Sequence, residues 1–166
     1  DVTIYNFEAT FSGKINIYDC QHDSVSHKYS ISENSQYYLD EQNGTEEIKG
    51  GAFVGCLNPV SPIIYGSCFR SMSQNTDLNL NGANIIGFYS QNGGGINFEF
   101  GRLTIRENCN IYGCIANTYG GGIRLSGAYS NAAIYGGLIK DCKCIGDSDP
   151  DGGGLFIQSI LVYAGG

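Results

Sequence analysis

Three sets of residues in this chain have the types and spacing for chemistry. Asp147-Ser148-Asp149-Pro150-Asp151-Gly152 has the form D-x-D-x-D-G, in which alternate carboxylates converge as hard oxygen ligands for calcium. Asp147, Asp149 and Asp151 are the expected ligands. The bidentate Glu that closes a helix-flanked calcium loop is replaced by Gln158, so a solvated acidic loop is the competing reading. Seven cysteines lie at 20, 56, 68, 109, 114, 142 and 144. No pair has CxxC spacing, and only His22 and His27 could complete a metal site, so disulfides are expected rather than zinc. An odd count leaves one thiol free or paired outside the chain. Asn43-Gly44-Thr45 is the single N-glycosylation sequon, with Asn43 as acceptor in a polar loop.

Composition narrows what those residues can serve. A net charge of −7 and the lack of any Lys/Arg cluster disfavour a nucleic-acid partner. No apolar run approaches the roughly 18 residues of a membrane span. The chain opens on Asp1 and stops at Ala164-Gly165-Gly166, which reads as a processed protein or a segment of a longer one. Glycine supplies 25 of 166 residues, charged residues only 15%, and 19 Ile stand against 9 Leu. Such a chain favours strands and turns over helices.

The elements that must position these residues emerge from an internal repeat. Gly93-Gly94-Gly95-Ile96 recurs as Gly120-Gly121-Gly122-Ile123 and as Gly152-Gly153-Gly154-Leu155. A weaker copy is Gly50-Gly51-Ala52-Phe53. After each triplet apolar and polar residues alternate, as in Ile96, Phe98 and Phe100 against Asn97 and Glu99, the pattern of a half-buried strand. Further strands are expected at Leu103-Thr104-Ile105, at Ala133-Ile134-Tyr135 and around Ile111 and Ile139. Short strands with glycine at a fixed corner describe an all-β chain wound as a parallel β-helix, a solenoid. Ile96, Ile123 and Leu155 would form one interior column, and Phe98, Leu125 and Ile157 another. At about 25 residues per coil the chain would make roughly six to seven coils in one domain over 1–166. Residues 1–49 lack the glycine pattern and read as divergent coils or a cap, with 50–166 as the repeat coils.

The run Ile111-Tyr112-Gly113-Cys114-Ile115-Ala116-Asn117-Thr118-Tyr119-Gly120-Gly121-Gly122-Ile123 resembles the repeat of right-handed parallel β-helix surface proteins. These include the polymorphic outer-membrane-protein-like and adhesin-like families with GGAI or GGGI tetrads. The resemblance covers roughly 78–166 and departs where Cys114 and Cys142 replace the asparagine of the FxxN motif. It implies a stalk, adhesin or surface-layer element rather than an enzyme.

Cys114 and Cys142 fill one slot in successive coils, and stacking at about 4.8 Å lies inside the Cα···Cα range of a disulfide. A bridge between coils is one reading there, and a column of buried free thiols is the other. Cys56 and Cys68 could form a second bridge. The outward positions Asn97, Arg124 and Phe156, with Glu99, Ser126 and Gln158, supply no carboxylate pair for glycoside cleavage. Only six Thr occur, none as TxT, against an ice-binding array. The expected function is a non-enzymatic, extracellular structural or adhesive solenoid. It would stack end to end, on another copy as a filament or on neighbouring repeats, with no cofactor beyond calcium. The alternative is a carbohydrate-binding or polysaccharide-cleaving module, with Tyr89, Tyr112, Tyr119 and Tyr129 near the repeats as stacking platforms for surface glycans.

Overall fold

In the computed structural model the chain is all-β, with no helix among the described residues. Side chains are described for residues 47–50, 52–53, 67–72, 74–147 and 150–158, and further strands by backbone pairing alone. From residue 37 onward every strand pairs in parallel with the corresponding strand of the next turn, which makes a β-solenoid.

The coil has four faces. Face I stacks Tyr37–Leu39, Phe69–Ser71, Ile96–Phe98, Ile123–Leu125 and Leu155–Ile157. Face II stacks Gly44–Lys49, Thr76–Asn81, Gly101–Ile105, Ser130–Ile134 and Ile160–Ala164. Face III holds Ala52–Val54, Asn84–Ile86, Asn110–Tyr112 and Leu138–Lys140. Face IV holds Tyr89–Asn92, Ile115–Tyr119 and Lys143–Cys144. The fourth face escapes a three-strand reading because Ile115–Tyr119 buries only the small Ala116 and shows no apolar alternation.

The expected interior columns form in register. Ile96 pairs with Ile123 and Ile123 with Leu155, while Phe98, Leu125 and Ile157 make the second column. Phe53, Ile85, Ile111 and Ile139 make a third on face III. Ile85, Ile96, Phe98, Ile123 and Leu125 have no exposed surface. Full burial of each such side chain is worth about 1.5–3 kcal/mol, so these columns dominate the cohesion of the rod. On face II the strand is Ser130–Ile134, with Leu103 over Ala132 and Ile105 over Ile134. That register lies one residue before the one expected from Ala133-Ile134-Tyr135, and it turns Ala133 and Tyr135 outward.

Three complete four-sided coils begin at Phe69, Ile96 and Ile123, with an incomplete coil at each end. The expected six to seven coils are not reached because residues 1–31 do not add turns. Val2–Tyr5, Glu8–Phe11 and Ile15–Ile17 pair antiparallel with the first coil on faces III, II and I in that order. The leading segment runs round the rod in the reverse sense. In doing so it occupies backbone edges that an open solenoid end would leave unpaired. A hairpin of Cys20–Asp23 and Lys28–Ile31 extends face III beyond it.

The glycine triplets mark the corner between faces IV and I, and each position has its own reason. Gly93, Gly120 and Gly152 have φ of 59°, 64° and 68°, which side-chain-bearing residues adopt at a cost. A Cβ on Gly94 or Gly121 would collide with a carbonyl oxygen of the next coil, that of Gly121 or Gly153. A Cβ on Gly95 or Gly122 would meet Ile111 and Cys114, or Ile139 and Cys142. Gly50 is different: it lies at the corner between faces II and III, bonded through its N–H to Asn81 O at 2.7 Å, beside Gly82. The earlier equivalent of the triplet ends instead in Ser67-Cys68, since Phe69 pairs with Ile96 and Cys68 N donates to Gly95 O at 2.8 Å.

Gly121→Ala is therefore expected to cost about 3 kcal/mol, as an overpacked backbone contact. Gly113→Ala, at φ 62° but with open space around it, should cost only about 1 kcal/mol. Urea denaturation of the two variants measures the difference, and equal losses would contradict the close-approach account.

Candidate functional site

The thiol slot lies at the corner between faces III and IV. Cys114 is fully buried and Cys142 half-buried, directly beyond it in the next coil. The expected bridge between them is not made: Cys68, Cys109, Cys114, Cys142 and Cys144 are all free thiols. In-register parallel stacking explains this. It keeps equivalent Cβ atoms side by side at about 4.8 Å, beyond the Cβ···Cβ separation of about 3.5–4.5 Å that a disulfide needs. The Cys114 thiol faces Cys142, with Ile85 O and Tyr112 O 3.8 Å and 3.6 Å from its sulfur, and Cys142 Sγ lies 3.4 Å from Lys140 O and 3.5 Å from Ile111 O. The second expected bridge also fails from its described side, since Cys68 is a free, buried thiol. Cys56 lies outside the described residues.

These thiols differ in acidity. Burial pushes Cys68 and Cys114 well above the usual thiol value. A hydrogen bond from the Cys114 thiol, assisted by backbone donors of the preceding corner, lowers Cys142 to about 7. Since the Cys142 folded value is depressed, its contribution to stability is present at alkaline pH and is lost as pH falls through about 7. Iodoacetamide at neutral pH should label Cys142 first in the native protein, with Cys68 and Cys114 reacting only after unfolding. Peptide mapping showing equal labelling would refute the assignment.

The acidic loop is an insertion between faces IV and I. Asp147 and Asp151 are exposed, and Asp149 lies outside the described residues. Asp151 is tied into the coil ladder by its backbone: its N–H donates to Thr118 O at 3.1 Å and its carbonyl accepts from Gly120 N at 3.0 Å. Cys144 Sγ donates to the same carbonyl at 3.1 Å and closes the base of the loop. Among the described residues no cluster of three metal-ligating side chains occurs. Asn43 lies outside the described residues.

Outside face I the structure assembles an ionic ladder whose Arg70 the repeat reading missed. Arg70, Asn97 and Arg124 occupy one outward column. Arg70 and Asn97 are only 8% and 4% exposed. Glu99 Oε1 lies 3.5 Å from Arg70 Nη2 and 3.9 Å from Arg124 Nη1, and Arg124 Nη1 donates to Asn97 Oδ1 at 3.0 Å. Burial lowers the Arg124 guanidinium, with the Glu99 charge opposing the shift. Tyr119 stacks on Phe156 at 4.6 Å beside Arg124, so this expected platform is used internally. Glu99→Gln leaves two covered guanidiniums without a shared carboxylate and should cost about 2–3 kcal/mol. Asp77→Asn, in a more exposed pair, should cost less than about 1 kcal/mol. Thermal melts of the two variants test the ordering.

Outside face II is a polar groove of about 490 Å³ lined by Asp77, Asn79, Arg102, Thr104, Asn131, Ala133 and Tyr135. Arg102 makes a two-pronged bond to Asp77, at 2.8 Å from Nε and 2.6 Å from Nη2. Tyr135 is 46% exposed, with the Arg106 guanidinium 5.6 Å from its ring centroid. Of the tyrosines named from sequence, Tyr112 and Tyr129 are exposed and Tyr89 is half-buried. The groove was not legible in the sequence, because only the face II register decides that 77, 102 and 131 share one outward column.

A scan against protein-family models and searches of curated proteins and of solved structures return no match.

Proposed function

We propose that the chain is a non-enzymatic, extracellular structural and adhesive element, a rigid β-solenoid whose last coil is covered end to end by a further coil, from a second copy or from neighbouring repeats. The supporting observation is that its apolar columns run into the last coil and lose their cover there. Ile123 and Leu125 are fully buried, whereas Leu155 and Ile157, next in the same columns, are half-buried. Ile139 repeats this against Ile111, and Leu138 is 50% exposed. An apolar hollow of about 260 Å³, lined by Ile105, Ile134 and Ile139, opens beside them. The strands of this coil are the outermost of their sheets: Leu138–Lys140, Lys143–Cys144, Leu155–Ile157 and Ile160–Ala164.

A parallel edge with apolar columns beneath it is complementary to another coil of the same kind. The extracellular placement rests on composition and on the Asn43 sequon, with the surface-protein repeat as an analogy of architecture. The lean charge suits a rod whose residues go to interior columns and corners. Glu99, just after the strand Ile96–Phe98, is engaged by two guanidiniums, an arrangement suited to holding coils together.

Sedimentation and negative-stain electron microscopy of the chain should show concentration-dependent rods. Ile157→Glu, which puts charge on the apolar end, should return them to monomers. A monodisperse monomer at high concentration, with or without reductant, would remove the stacking reading.

A further inference from the structure

We infer that the outer side of face II is a binding groove for a neutral oligosaccharide, centred on Asn131 and Tyr135. It rests on the adhesive part of the reading above and names the surface and ligand class that part requires. The parallel register lays outward side chains in a grid across three coils, with Asp77, Arg102 and Asn131 in one column and Asn79, Thr104 and Ala133 in the next. Tyr135 follows Ile134 at the end of its strand, and its N–H is held by Ile105 O at 2.9 Å. The ring therefore stands on a fixed backbone. Ala133, with its short side chain, lies between Asn131 and Tyr135 and leaves the hollow into which this part of the groove opens.

The chemistry of the grid selects its ligand. Carboxamide, hydroxyl, guanidinium and carboxylate groups together donate and accept hydrogen bonds in several directions. Their main charges are already matched, since Asp77 and Arg102 form a bidentate pair, so the groove offers hydrogen bonds with little unmatched field. An exposed tyrosine beside them offers a flat apolar surface with a polar tip. A ligand with many hydroxyls and one apolar ring face meets both demands. An extended peptide would add to a sheet edge rather than lie across an outer face. Nucleic acid would require a cationic excess that a chain of net charge −7 lacks.

The test is a glycan array probed with the whole chain, followed by titration calorimetry on the neutral oligosaccharide that gives the strongest signal. Tyr135→Ala and Asn131→Ala should each weaken binding by up to about tenfold. Tyr112→Ala, an exposed tyrosine on face III, should leave it unchanged. Binding should persist at high salt, because little net charge is exchanged. Circular dichroism of each variant establishes that the solenoid is intact. Absence of binding to every glycan, or binding indifferent to both face II substitutions, would overturn the inference. So would binding restricted to sulfated or uronate glycans and abolished by salt. Rods that assemble without binding glycans would remove the groove and leave the stacking reading standing, while glycan binding by a persistent monomer would do the reverse.

Discussion

In-register stacking of backbone on backbone, at about the 4.8 Å of a β-ladder, is the constraint on which the rest of this molecule depends. Each coil must return over the last with its N–H and C=O groups aligned. At the corner between faces IV and I this leaves no room for side chains. Gly93, Gly94 and Gly95 bond through their amides to Tyr119, Gly120 and Gly122, and Gly120, Gly121 and Gly122 repeat the pattern on Asp151, Gly152 and Gly154. The triplets follow from that contact. So does the position of Cys114 and Cys142, whose sulfurs lie over the space that Gly95 and Gly122 leave empty.

The same stacking converts sequence neighbours at the repeat distance into spatial neighbours, both inside and outside the rod. Inside, it makes continuous columns of Ile, Leu and Phe. Outside, it makes columns of polar residues that share charges: Arg70, Asn97 and Arg124 around Glu99, or Asp77 with Arg102. Asn84 and Asn110 pair in this way on face III, the second donating to the first at 2.7 Å. A solenoid surface is thus a lattice, and a binding groove on it is a property of several coils at once. The stacking also penalises features that need convergence, because parallel columns hold equivalent side chains apart. A thiol pair in one column consequently remains a pair of thiols.

Much of the repeat region was legible beforehand because its signals are local. Alternation after Gly95, Gly122 and Gly154 placed the face I strands and both interior columns correctly. The earliest copy was harder to see. Ser67-Cys68 stands where later coils have two glycines, because Ser67 Oγ can turn onto Gly93 O and Asn92 O while Cys68 fills the corner itself. Gly50-Gly51-Ala52-Phe53 looked more like the motif, yet Gly50 belongs to another corner. Arg70 and Tyr135 were missed for a related reason: each becomes notable only once a register one coil away is known.

By itself, the sequence determined the all-β class, the repeating corner and which residues face inward on face I, because glycine spacing and period-two alternation act within a few bonds. It also determined the net charge of −7. Tertiary structure alone decided the number of coils, since only the pairing of residues 2–17 reveals that the chain begins by running backwards over its own first coil. It alone decided that Cys114 and Cys142 stay apart, and that Asp77, Arg102, Asn131 and Tyr135 share a groove. Those outcomes depend on distances between residues far apart along the chain, and such distances exist only after the coils have stacked.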